Sequence, residues 1–517
     1  MKIYRGSVVT CDEKESVFSY LVEDNGKIVH TGSDLPPQYR GGTVTDLGDK
    51  ALLPGFGDGH LHFSNWALFN ATFDVREASD FNGLAEIING YAGRDRKSKV
   101  LLGFGLSRHI LREERLITRE ELDRITSRPV YIVSYDGHSA VTNSSGIALF
   151  PEQIRREHGF DPERGHIYYE AFYKATDFIS GTFSAPFLIK AILRGTDTLA
   201  AAGITLAHPV EGVGFPRDMD VDLVKFLAKG SGVAFRIYFQ TTRVEKVLKR
   251  KLPRIGGCFA TALDGCFGAK DAALLDPYTD EPENRGILFH QPGPLRHFVR
   301  TAHDAGLQIQ LHAIGDAAVK LGTEALEAAI RGNPRRDHRH TLIHACLIPQ
   351  ETMEKIASLE IGITLQPPVL TSPLEPSRYL EKILGGRAAD ISPLRKMTDM
   401  GIPLSGGSDA PVTPPDPIAG IHAACNYRIP EQSLTLQEAL RLYTYNVART
   451  SFDEKERGSL EPGKRADMTV LNRNPFSLPK EELKDLKVLE TYVSGKPYRP
   501  KKLAGTSLKS IFNPAAY

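Results

Sequence analysis

The stretch "LQIQLHAIGDAAVKLGTEALEAAIRG" (307–332) reads as two elements joined end to end. "LQIQLHAIGD" is a short apolar strand, and "DAAVKLGTEALEAAIRG" carries the apolar spacing of a helix that faces a core. A histidine, His312, stands where the strand ends. The same unit recurs along the chain. "GITLAHP" (203–209), "VAFRIYF" (233–239), "HTLIHAC" (340–346), "IGITLQPP" (361–368) and "IPLSGGSDAP" (402–411) read as strands. Helical stretches such as "VDLVKFLAKGSG", "GPLRHFVRTAHDAG" and "PQETMEKIASLE" separate them. Repeated strand–helix alternation predicts a parallel sheet, and so many units in one run favour a closed (β/α)₈ TIM barrel of the α/β class.

The flanks have a different texture. "KIYRGSVVT", "SYLVEDNGKIVHTG" and "GTVTDLGDKALLPGF" are β-branched runs broken by turn residues, and "EDNGKIVHTG" is a hairpin signal. "GSLEPGKRADMTVLNRNP" and "LKVLETYVSGKPYRP" near the other end read alike. The expected organisation is therefore a barrel over 54–455 with an inserted lobe at about 75–190, and a small β-sandwich built from 1–53 and 456–517, the latter ending in a tail.

Composition narrows the function classes. The 64 Lys plus Arg against 63 Asp plus Glu leave a net charge of +1, so no global field recommends nucleic acid or an anionic membrane as partner. The densest basic cluster, "RRDHRH" (335–340), reads as a solvated loop. The start "MKIYRGSVVTCDEKES" lacks the apolar run of a signal peptide, and no segment stays apolar over the ~18 residues of a membrane span. Cys11, Cys258, Cys266, Cys346 and Cys425 are odd in number, scattered and without a CxxC pair, which argues against a disulfide framework and fits a reducing compartment. Each is read as a small buried apolar residue. A cytoplasmic protein acting on a small molecule is expected, with a homodimer as one expected assembly.

In a (β/α)₈ barrel the chemistry gathers at the C-terminal ends of the strands. His60 and His62 in "PGFGDGHLHF" (54–63) close the first strand, and their spacing of two sends both to one face. Glu211 ends "GITLAHPVE", His312 ends "LQIQLH", His344 ends "HTLIH" and Asp409 ends "IPLSGGSD". A barrel would aim all six into one mouth. Four imidazoles and two carboxylates suit one or two divalent ions, zinc foremost, with a position left for water. Asp58 is expected to orient the His60–His62 loop, and Asp316 to cap the helix after His312.

These residues lie in motifs that resemble those of the amidohydrolase superfamily. "LLPGFGDGHLHF", "VSYDGHSAVTNSSGI", "ALDGCFGAKDAALLDPYTD", "LHAIGDAAV", "LSGGSDAPVTPPDPIAGI" and "GSLEPGKRADMTVL" resemble, as a set, the signatures of its family 3, the YtcJ-like metal-dependent hydrolases. The resemblance implies a metal-bearing barrel with a small β-sandwich made from both termini. It implies that His60 and His62 hold the more buried ion, His312 and His344 a second one, and that Asp409 touches a metal and acts as general base. Many members carry a carboxylated lysine four residues before the Asp-Gly of "ALDG"; this chain has Ala260 there. "AHPVEG" resembles the corresponding stretch of members without that lysine, which makes Glu211 the expected bridge between two ions. In the family the "YDGHSAVTNS" stretch reaches the site, so His138 is expected to contact substrate or the developing oxyanion.

The chemistry so implied is metal-assisted hydrolysis of an amide or related C–N bond, in an N-acyl, N-formyl or cyclic compound. Two other classes share the ligand set. One is a metal enzyme that does not hydrolyse, such as a decarboxylase or isomerase, which a basic pocket would favour. The other is a catalytically silent barrel that binds ligand as a regulator.

Overall fold

The structure is a computed structural model that describes residues 1–500. The tail expected after these lies outside the described residues. Eight parallel strands make the barrel: β1 Phe56–Leu61, β2 Ile204–Glu211, β3 Tyr238–Phe239, β4 Arg254–Ala262, β5 Gln308–Ala313, β6 Thr341–His344, β7 Gly362–Leu365 and β8 Leu404–Gly406. Each pairs in parallel with the next. A short segment, Ala234–Phe235, also pairs with β2 just ahead of β3. The chain after β8 returns to β1: the Asp409 N–H donates to the His60 carbonyl at 2.8 Å, and the His62 N–H to the Ala410 carbonyl at 2.8 Å. Every residue of β1, β2 and β5 to β8 is buried, as expected for parallel strands covered on both faces.

The opening motif shows why the units fold as they do. After β5, the helix Asp316–Gly332 buries Ala318, Gly322, Ala325 and Ala329, spaced to form one stripe, and exposes Lys320 and Glu324. Asp316 does not cap that helix across its first turn. Its Oδ1 accepts the N–H of Leu275 at 2.8 Å and of Ala317 at 3.0 Å, tying the loop after β4 to the helix start.

Between β1 and β2 the chain builds a second sheet of six short strands. Phe73–Asp74, Leu101–Leu106 and Val130–Ser134 run parallel, and Ser139–Thr142, His166–Tyr168 and Phe160–Asp161 extend the sheet antiparallel. Helix Tyr169–Ser180 packs on it through Phe172, Ala175 and Ile179, which share a core with Leu102, Phe104, Tyr131 and Val133. Helix Ala185–Ala201 then carries the chain back to β2.

The two chain ends meet in one seven-stranded sheet, in which Thr43–Pro54 pairs with Lys2–Val9 on one side and Met468–Leu471 on the other. Tyr4 and Tyr492 lie on strands three steps apart in this sheet, which would hold them about 14 Å apart if it were flat. Their rings are 5.6 Å apart, edge to face, so the sheet curls over a shared core. Register shifts at Arg5–Val8 fall where the bend is needed.

Among the described residues no helix is long and apolar enough to cross a membrane.

Candidate metal centre

The C-terminal ends of β1, β5, β6 and β8 and the middle of β4 deliver a cluster of buried donors. His60, His62, His312, His344, Asp409 and one residue that sequence reasoning did not select, Cys258, fall into three overlapping groups of closely spaced donor atoms. The Asp409 Oδ1 stands 3.2 Å from the Nε2 of His60 and 3.4 Å from the Nε2 of His62. It makes no hydrogen bond at either distance, and Nδ1 of both histidines is likewise without a partner. Donor atoms packed this closely without bonding to one another point at a common centre. Nitrogen and oxygen ligands of a tetrahedral zinc are separated by about 3.4 Å, given bonds of about 2.0–2.1 Å. The residues fit a divalent ion.

The second histidine pair is oriented by its outer contacts. His344 Nδ1 is 2.6 Å from the Oε1 of Gln366, whose amide nitrogen donates to the Thr364 carbonyl at 3.1 Å. That places the ring proton on Nδ1 and leaves the Nε2 lone pair facing the cluster. His312 is turned the other way round. Its Nε2 is 3.2 Å from the Gly265 carbonyl, which can only accept, so the proton sits on Nε2 and Nδ1 is left as a buried nitrogen with no protein partner.

Burial sets the charges. It pulls His344 down to about 4, lowers His62, and drops His312 well below the ordinary imidazole range. These rings are neutral at pH 7 and offer lone pairs. Burial alone would raise the Asp409 carboxyl, but contacts with His60 and His62 outweigh it and hold the group well below the usual carboxylate range.

The scaffold holding these donors is strained and tight. Phe259, His344 and Asp409 have left-handed backbone at φ 46°, 69° and 55°. A Cβ on Gly407 would lie 2.6 Å from the His60 amide nitrogen, so only glycine lets the β8 end approach β1 this closely. Asp264 organises the loop after β4. Its carboxylate accepts N–H groups from Ala273, Ile314 and Gly315 at 2.9, 2.9 and 2.8 Å, while burial pushes it up to about 8.

Glu211 ends β2 as expected but belongs to none of the donor groups. Its Oε1 accepts the Ser64 N–H at 3.1 Å, and its carboxyl lies against that of Asp220. Burial, with Asp220 beside it, pushes Glu211 well above the ordinary range, and burial raises Asp220 to about 7. Two acids sharing a buried site favour a proton held between them. The residue overlooked is Cys258. Its Sγ lies 3.4 Å from the Nε2 of His60 and 4.0 Å from the Nε2 of His344. Cys258 lies within β4 rather than at its end, so the strand-end pattern that picked out the other donors does not include it.

Above the donors is a pocket bordered by His62, His312, His344 and Asp409. The inserted lobe forms much of its wall, with Val133, His138, Phe172 and Tyr173, and Phe259 from β4 closes a side. His138 faces His312 with ring centroids 6.2 Å apart, and it is not one of the grouped donors. His138, Tyr173 and Phe259 also line a larger outer cavity that contains Arg108 and Ala260. Among the described residues no lysine or arginine lines the inner pocket.

The amidohydrolase family model matches residues 43–498. The chain is similar to YtcJ of Bacillus subtilis (strain 168), 28% identical with 94% of this chain and 96% of that one covered. It is also similar to an N-substituted formamide deformylase of Arthrobacter pascens, 22% identical over 96% and 97% of the two chains. Among solved structures, an uncharacterized metal-dependent hydrolase from Pyrococcus furiosus superposes with a TM-score of 0.73 at 25% identity, covering 92% of this chain and 99% of that one.

Proposed function

The chain belongs to the amidohydrolase family and is a metal-dependent hydrolase, and from this we propose that it cleaves the C–N bond of a small N-acyl, N-formyl or cyclic amide. The observation that carries the reading is the unpaired Oδ1 of Asp409 held 3.2 and 3.4 Å from two histidine nitrogens at the floor of a pocket with mostly apolar walls. A divalent ion, zinc being the first choice, supplies Lewis acidity toward the substrate carbonyl and brings the pKa of water from 15.7 toward about 7. His60, His62, His312 and His344 would hold it. Asp409 is the general base: ionised at neutral pH, it takes a proton from the attacking water and passes it to the leaving nitrogen. His138, in the pocket wall near His312, donates to the carbonyl oxygen as charge develops there. Phe172, Tyr173 and Phe259 exclude water and receive the apolar substituent.

The name of the Arthrobacter relative favours N-formyl compounds as the first class to try. Among the described residues no lysine or arginine lines the inner pocket to receive a carboxylate substrate, which weighs against the decarboxylase or isomerase alternative. The test is a screen of N-formyl, N-acyl and cyclic amides with metal-replete protein, reading amine release. Turnover of one class that stops on chelation and returns with added metal is the expected result. Absence of turnover across all three classes, with metal bound, would overturn the assignment.

A further inference from the structure

We propose that Cys258 is a metal ligand, its thiolate bridging two divalent ions at the barrel mouth. This rests on the metal-dependent reading above and adds to it the residue that joins the two halves of the centre. The donor groups divide into a pair from β1, His60 and His62, and a pair from β5 and β6, His312 and His344. Cys258 is the member that both sets share: one group is His60, His62 and Cys258, another is Cys258, His312 and His344. The third, His60, His344 and Asp409, closes the ring without it.

The distances suit sulfur. A zinc with a bond to sulfur of about 2.3 Å and one to nitrogen of about 2.0–2.1 Å separates those ligands by about 3.6 Å at the tetrahedral angle. The Sγ contacts of 3.4 Å to His60 and 4.0 Å to His344 bracket that edge on the two sides of the thiol. The backbone aims the side chain there. In the pairing of β4 with β5, Gly257 faces Leu311 and Ala262 faces His312, so residues 258–261 bulge out of register. The Cys258 N–H is held by the Oε1 of Gln240 at 3.1 Å, and the next residue, Phe259, turns left-handed. Cys258 is thereby kept facing the donors, while Ala260 is carried to the outer cavity. Of the other residues considered for a bridge, Ala260 has no ligand atom and Glu211 is committed to Ser64 and Asp220. On coordination the S–H proton leaves to solvent and the sulfur lone pairs form the metal bonds, with no change of oxidation state.

The experiment uses the full chain stripped of metal and titrated with Co²⁺ or Zn²⁺. Expected are about two ions per chain, a near-ultraviolet thiolate-to-cobalt absorption band, and a sulfur neighbour at about 2.3 Å in zinc-edge X-ray absorption. Cys258→Ser should lose the band and bind about half as much metal. The X-ray measurement on the unmodified protein keeps the test independent of how the variant folds. Two ions bound without a sulfur neighbour would refute the thiolate ligand and leave the hydrolase reading standing, and sulfur on a single ion would refute the bridge. No ion bound at all would overturn both.

Discussion

Asp58 and Ser408 stand 350 positions apart in the chain, yet two hydrogen bonds join them. The Ser408 N–H donates to Oδ1 of Asp58 at 3.0 Å and the Ser408 hydroxyl to Oδ2 at 2.6 Å, while the His60 N–H reaches Oδ1 at 3.2 Å. One buried carboxylate thus fixes the loop that carries Asp409 against the strand that carries His60. Replacing Asp58 by Asn removes one charged acceptor and sets an NH₂ against a donor. We expect metal affinity to fall by about 10–100-fold with a loss of about 1–3 kcal/mol in stability, read by chelator competition and thermal unfolding. Unchanged metal affinity would assign Asp58 a purely structural role.

Asp409→Asn separates holding the metal from moving the proton. The amide retains an oxygen that can reach the ion but cannot take a proton at neutral pH. Metal content should stay near that of the unmodified protein, while kcat should fall by about 10²-fold or more. Metal analysis alongside turnover on the substrate found in the screen decides it, and undiminished kcat would remove Asp409 as the base.

The Glu211–Asp220 pair predicts a pH dependence of stability. Both carboxyls are raised by burial, Asp220 to about 7. A carboxyl whose folded pKa exceeds its unfolded value binds its proton more tightly when folded. Stability is therefore greatest below the unfolded value, near about 4, and declines as pH rises through the folded one. Glu211→Gln removes one such group, and the decline in melting temperature toward pH 7 should flatten, with a gain on the order of 1 kcal/mol at pH 8. Metal content should not change. A fall to about half would instead restore Glu211 as a bridge.

Asp264 makes no contact with the predicted substrate pocket but satisfies three backbone donors and lies 3.7 Å from the Nε2 of His312. Asp264→Asn can satisfy at most part of that set. A loss of about 2–3 kcal/mol is expected in denaturant unfolding, larger than for a typical surface change. A loss under about 0.5 kcal/mol would show that the loop after β4 is held by other contacts.

What the sequence determined by itself was local. The strand–helix period announces the barrel because apolar spacing belongs to each segment alone, and "LQIQLHAIGD" would read the same in any chain. His60, His62, His312, His344 and Asp409 could be picked out because each closes a strand, and strand ends in such a barrel share one mouth. Tertiary structure decided what depends on pairing. Cys258 reaches the donors because β4 bulges against β5, and nothing within "GGCFATALDG" states that register. Glu211 stands beside Asp220 because helix Met219–Leu227 follows the loop after β2, a contact made by the path of that loop. A side chain's chemistry is written in its identity, but its neighbours are set by packing between segments, where a shift of one residue reverses the face it presents.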